Sequence, residues 1–184
     1  MSEPEQQVQQ WLEQAVIGLN LCPFARKPLS LGRVRFTVCN SRHADQLLQT
    51  LHDELQLLAE TPTQQWETTL LIITEQLDDF LDFNDFLDLA DALLAQQDWD
   101  GIFQVASFHP RYQFAGTAAD DVENFTNRAP YPILHLLRED SISAAVDSYP
   151  QVDEIPERNI RTLQTCSPAQ LASLFPFLAD RGQP

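Results

Sequence analysis

The stretch "SFHPRYQFAG" (residues 107–116) gathers a histidine, an arginine and a tyrosine, and "TAADDVENFTNR" (117–128) follows at once. Imidazole is the side chain whose unperturbed pKa lies nearest neutrality, so His109 is the leading candidate for a general acid or base. Asp120 and Asp121 are the carboxylates at hand to orient it, and they complete the candidate catalytic set. Arg111, Arg128 and Arg138, with the amides of Asn124 and Asn127, are the candidates for substrate binding. The guanidinium fork matches carboxylate and phosphate, so a small anionic metabolite is the expected ligand. The competing account is structural: the arginines pair with the chain's own carboxylates, and His109 satisfies a nearby backbone carbonyl.

Weaker constellations surround this one. His135 and Glu139 stand four residues apart, a spacing that on a helix can offer two ligands to one metal. Joined by His109 and a carboxylate they would suit a first-row metal; a lone HxxxE arises often by chance, and no metal is assigned. Cys22, in "LNLCPFA", could be a nucleophile with His109 or His135 as its base. Its apolar neighbours and its place at a predicted helix C-terminus favour an inert, buried thiol instead. The acidic run "EQLDDFLDFNDFLDLAD" (75–91) lacks the glycine of a calcium-binding loop and reads as the solvated face of a helix. There is no GxGxxG, no GxxxxGK[ST] and no GxSxG, which removes the commonest phosphate loops and the nucleophile elbow. The cofactor is left unknown.

Charge narrows the partners further. The 184 residues carry 27 acids against 11 bases, a net charge of -16, which argues against nucleic acid and anionic membrane as partners. Ten of the bases are arginine, and none lies between Arg42 and Arg111. The N-terminal "MSEPEQQVQQWLEQ" has neither the basic nor the apolar part of a signal peptide. No apolar run approaches the ~18 residues of a membrane span. Three widely spaced cysteines fit reduced thiols, so a cytoplasmic location is expected. The length suits a single domain over 1–184.

The elements that must position the candidates are read from periodicity. Residues 4–21 form an amphipathic helix stopped by Pro23 and Pro28. "VRFTVCN" (34–40) is an alternating strand, and "TTLLIIT" (68–74) is a strand buried on both faces. "GIFQVASF" (101–108) is a third. Helices near 43–59 and 83–97 separate them. This is an α/β pattern: a small open sheet with a parallel three-strand core, helices packed on it and an α-rich C-terminal part. The 133–138 segment is read as helical, with a fourth strand as the alternative, and "AADDVENF" as two helical turns capped by Thr117. Ligands of open parallel sheets bind beyond the carboxyl ends of the strands. His109 is therefore expected to face a cleft walled by 117–128 and 132–139.

The strings "NLCPFA" (20–25), "ETTLL" (67–71), "ASFHPRYQFAGT" (106–117), "DDVENFTNRAPYPILHLLRE" (120–139) and "IPERNI" (155–160) together resemble the bacterial domain of unknown function 1415 family. The resemblance spans nearly the whole chain and implies a small bacterial single-domain protein, without supplying a reaction. Three readings remain: an enzyme acting on an anionic metabolite through His109, a metal-dependent enzyme using His109, His135 and carboxylates, and a non-catalytic module that binds a metabolite or a protein. An open pocket holding His109 and at least two arginines separates the first from the third.

Overall fold

A computed structural model describes residues 1–149 and 151–179. The chain opens with α1 (Glu3–Trp11), whose first turn is closed by the Ser2 N–H donating to the Glu5 carboxylate at 2.6 Å. The helix widens into a π-helical turn, Leu12–Ile17. A short α2 (Arg26–Ser30) leads to β1 (Val34–Cys39). Then come α3 (Ala44–Glu60), β2 (Thr68–Ile73), α4 (Phe80–Gln96) and β3 (Phe103–Phe108). The expected strand–helix alternation holds up to this point.

The sheet is mixed, with strand order β1-β2-β4-β3, where β4 is Ile133–Arg138. β1 and β2 are parallel, Val34 facing Thr68 and Cys39 facing Ile73. β4 runs antiparallel to both β2 and β3. The three anticipated strands thus share one sheet and one direction, but the third does not pair with the second. The helix favoured for 133–138 is a strand wedged between them. The reason is burial on two sides: Ile133 enters one core while Leu134 and Leu136 enter the other. A single-faced helix over "ILHLL" would strand Leu134, whereas a central strand buries every apolar residue and pairs its backbone on both edges. α5 (Glu139–Asp147) begins directly after it, with Arg138 at the N-cap position.

Helices cover both faces. α3 and α4 bury Leu47, Leu51, Leu55, Phe83 and Leu94 against Leu71 and Ile73. On the other face α1 and the π-helical turn bury Trp11, Ala15 and Val16 against Leu70, Ile72 and Ile133. They are joined there by Leu163 of α6 (Ile155–Thr165) and by Phe175, which follows α7 (Pro168–Leu174). All six residues of β2 are buried, as its continuous β-branched run requires. The 118–125 segment is not two α-helical turns: a 3₁₀ helix starts only at Val122 and runs to Asn127. Thr117 is not its cap; its hydroxyl donates to the Phe114 carbonyl at 2.9 Å.

Candidate functional site

β3 ends at the predicted place, and His109 continues from it into the protein rather than into a cleft. The residue is fully buried. Its backbone N–H donates to the Asn127 carbonyl at 3.1 Å. Its Nδ1 accepts the Arg111 N–H at 3.0 Å, which leaves the proton on Nε2, and Nε2 donates to the Leu77 carbonyl at 3.0 Å. The ring packs beside Phe83 at 5.2 Å and Phe80 at 5.4 Å. Leu77 has φ +60°, a left-handed conformation that costs a non-glycine residue about 1–2 kcal/mol. His109 and the Arg111 guanidinium, which donates to the Asp78 carbonyl, hold that turn. Asp79 then caps α4 by accepting the N–H groups of Leu81 and Asp82, and these two bonds hold its carboxyl below the usual range. The "HPR" tripeptide is a clamp on the start of α4, which corrects the expectation of a cleft-facing imidazole.

The remaining loop residues serve the same closure. Asn124 is fully buried. Its Oδ1 accepts from the Phe114 N–H at 2.9 Å and shares the Thr117 hydroxyl proton with the Phe114 carbonyl, and its Nδ2 donates to the Ala118 carbonyl at 2.7 Å. Asn127 Nδ2 donates to the Ser107 carbonyl at 3.1 Å. Asp121 accepts the Ala118 N–H at 2.8 Å, and Asp120 is exposed; neither orients His109. Arg128 lies 4.8 Å over the Phe125 ring and donates to the carbonyls of Tyr112 and Ala119; burial pushes its pKa down. The structure thus unites His109, Arg111, Asn124, Asn127, Arg128 and Asp121 in one loop, with their polar atoms directed at backbone.

Arg138 is elsewhere. It ends β4, opposite Phe103 at the start of β3, so five strand steps, about 17 Å, separate it from the His109 end. There its guanidinium donates to the carbonyls of Leu58, Thr61 and Trp66, tying the end of α3 to the loop after it. His135 sits on the sheet face away from α3 and α4, its Nε2 at 2.8 Å from the Thr68 hydroxyl, and burial lowers its pKa to about 4. Glu139 lies past the end of the strand, so the helical i, i+4 pairing with His135 does not exist. Among the described residues no three His, Cys, Asp or Glu side chains are grouped to hold a metal ion.

Two further places draw in residues from distant segments. Near Cys22, the Arg158 guanidinium donates to the Asn20 carbonyl at 3.0 Å and Asn159 Nδ2 to the Leu21 carbonyl at 2.6 Å. "NLCPFA" and "IPERNI" therefore meet in space. Burial raises the Cys22 pKa, against the opposing pull of the Phe24 and Ala25 N–H groups and Arg158. The second place is a recess of about 270 Å³. Gln7, Gln10, Trp11 and Gln14 form its helical wall; Pro130 and the Leu174–Phe177 region face them. Trp11 meets Phe108 edge to face at 5.4 Å. The Pro132 carbonyl accepts the N–H of Ile73, the last residue of β2, which sets the chain beside Pro130 past the strand's carboxyl end. The recess is thus at the anticipated end of the sheet but on the other face from His109. Sequence reasoning missed it because residues 4–21 read only as an amphipathic helix; the signal was three glutamines sharing one face around a tryptophan.

Together these features define a three-layer mixed α/β protein with a closed polar loop on one side of the sheet end and an open recess on the other. A family model described as "Protein of unknown function (DUF1415)" matches residues 3–173, and the chain belongs to that family. No curated protein and no solved structure matches it. No helix among the described residues is long and apolar enough to cross a membrane.

Proposed function

We propose that this protein is a non-catalytic module that binds a small metabolite in the recess beside Trp11, with the 109–128 loop acting as scaffold. The observation that carries this reading is the engagement of His109: both ring nitrogens are spent on backbone groups of Leu77 and Arg111. A general acid or base must reach the proton it moves, and His109 would first have to release the turn before α4. The arginines meant to hold an anion are likewise occupied by carbonyls. The recess, by contrast, is open and concave, and its volume of about 270 Å³ lies just below the roughly 300 Å³ at which small-molecule sites begin. Its place beyond the carboxyl ends of parallel strands is where such sheets bind ligands.

The test is a thermal-shift screen of neutral and anionic metabolites on the wild type, Gln10→Trp and Arg128→Ala. Ligand that binds the native state alone raises the melting temperature by mass action. Gln10 is an exposed helix position, so a bulky indole there blocks the recess without disturbing the core. Stabilisation lost in Gln10→Trp and kept in Arg128→Ala is the expected result. The opposite pattern returns the site to the 109–128 loop and with it the enzyme acting on an anionic metabolite.

A further inference from the structure

We propose that the recess takes a neutral, flat nitrogen heterocycle of the nucleobase or nicotinamide kind; this rests on the recess being the binding site. Gln7, Gln10 and Gln14 follow one another at steps of three and four residues and so share one helix face. Gln7 is anchored, its Nε2 donating to Glu3 at 3.2 Å and its Oε1 accepting the Tyr131 hydroxyl at 2.8 Å. Among the described residues the amides of Gln10 and Gln14 have no hydrogen-bond partner. A glutamine amide sets a donor beside an acceptor, the arrangement that matches the paired ring nitrogen and amino group, or the carboxamide, of such heterocycles.

The other walls fit a flat ring. The Phe177 ring and Pro130 line the same space beside Trp11, and an aromatic face stacks on a planar base whatever its identity. No ionisable side chain stands among the described lining residues. An ion entering would shed hydration without meeting a counter-charge, and a chain of net charge -16 disfavours anions further. Trp11 is 5% exposed, and its Nε1–H has no partner among the described residues. A buried donor left unpaired is uncommon, and its resonance is a ready reporter of anything that seats against this wall. The wall also widens into the π-helical turn directly after Trp11, a geometry rare in helices and recurrent at functional sites.

The experiment titrates the ¹⁵N-labelled full chain with adenine and nicotinamide, and in parallel with their charged counterparts adenosine 5′-monophosphate and nicotinate. The readout is the Trp11 indole Nε1–H resonance, assigned by its loss in Trp11→Phe and checked against the backbone amides of Gln10 and Gln14. Saturable movement of these signals by a neutral ring is expected, with its charged counterpart at least about tenfold weaker. Gln10→Leu, at an exposed position, should weaken binding about three- to tenfold by removing one hydrogen-bonding pair. Charged probes that bind as well as the neutral ones overturn the ligand class while leaving the recess as a site. Silence of the Trp11, Gln10 and Gln14 signals towards both neutral rings overturns the inference outright. Stabilisation by other metabolites that Gln10→Trp abolishes would still leave the recess standing as a site.

Discussion

Replacing His109 by alanine is the most direct test of the clamp. The substitution removes the donor to the Leu77 carbonyl and the acceptor of the Arg111 N–H, both at 3.0 Å. Each buried partner left alone costs about 1–3 kcal/mol. Deleting the ring also opens a void between Phe80 and Phe83, whose centroids lie 5.4 and 5.2 Å away, and voids of this kind add a further penalty of roughly 1–2 kcal/mol. The Leu77 turn, at φ +60°, loses the bond that offsets its strain. Together these place the loss at about 4 kcal/mol, a large share of the roughly 5–15 kcal/mol typical of a folded domain. Urea unfolding followed by circular dichroism at 25 °C measures it. His109→Gln, whose amide can still donate to Leu77, should recover about half. A loss below about 1.5 kcal/mol for the alanine variant would refute the clamp, because a residue facing solvent in a pocket gives a value of that size.

His135 predicts a pH dependence. Its folded-state pKa of about 4 lies below the ordinary 6.5, so above pH 6.5 the ring is neutral folded or unfolded and contributes no slope. Between about pH 6.5 and 4 the unfolded chain binds a proton that the folded chain refuses, and stability falls with acid by up to about 3 kcal/mol. Subtracting the stability profile of His135→Gln from that of the wild type should give a curve flat above pH 6.5 and falling below it; parallel profiles would dismiss the effect. Cys22, its pKa raised by burial, should react with a disulfide reagent at pH 7.5 at least about tenfold more slowly in the native Cys166→Ser protein than in urea. Equal rates would restore Cys22 as a candidate nucleophile.

Much of the sheet was legible because its strands carry local signatures. "TTLLII" is uninterrupted and β-branched, and "VRFTVC" alternates; both form the expected strands. β4 was not legible, because "PYPILHLLRE" places Ile133, Leu136 and Leu137 at a helical spacing after a proline suited to a first turn. What decides between the two states is the slot between β2 and β3, a tertiary fact. The site shows the same limit. The position of His109 at a strand end follows from sequence, yet its fate depends on the Leu77 carbonyl 32 residues away. No local pattern foretells that a leucine will turn left-handed there. Arg138 was grouped with the wrong neighbours because a helix would have pointed it at the loop; a strand carries it to the far end.

The strand order has a consequence for synthesis. β3 lies at one edge of the sheet and pairs only with β4, so when it leaves the ribosome it has no partner. The 24 residues from 109 to 132 must follow before β4 begins, a delay of about 1–5 s at ordinary elongation rates. During that interval β2 also has one bare edge, and the face it shares with α1 still lacks Leu163 and Phe175, which complete its packing. β2 and β3 point the same way, and an incorrect parallel pairing of the two would close the slot that β4 needs. A nascent chain stalled in this window leaves the facing edges of β2 and β3 both unpaired, and open edges of this kind are templates for incorrect strand pairing.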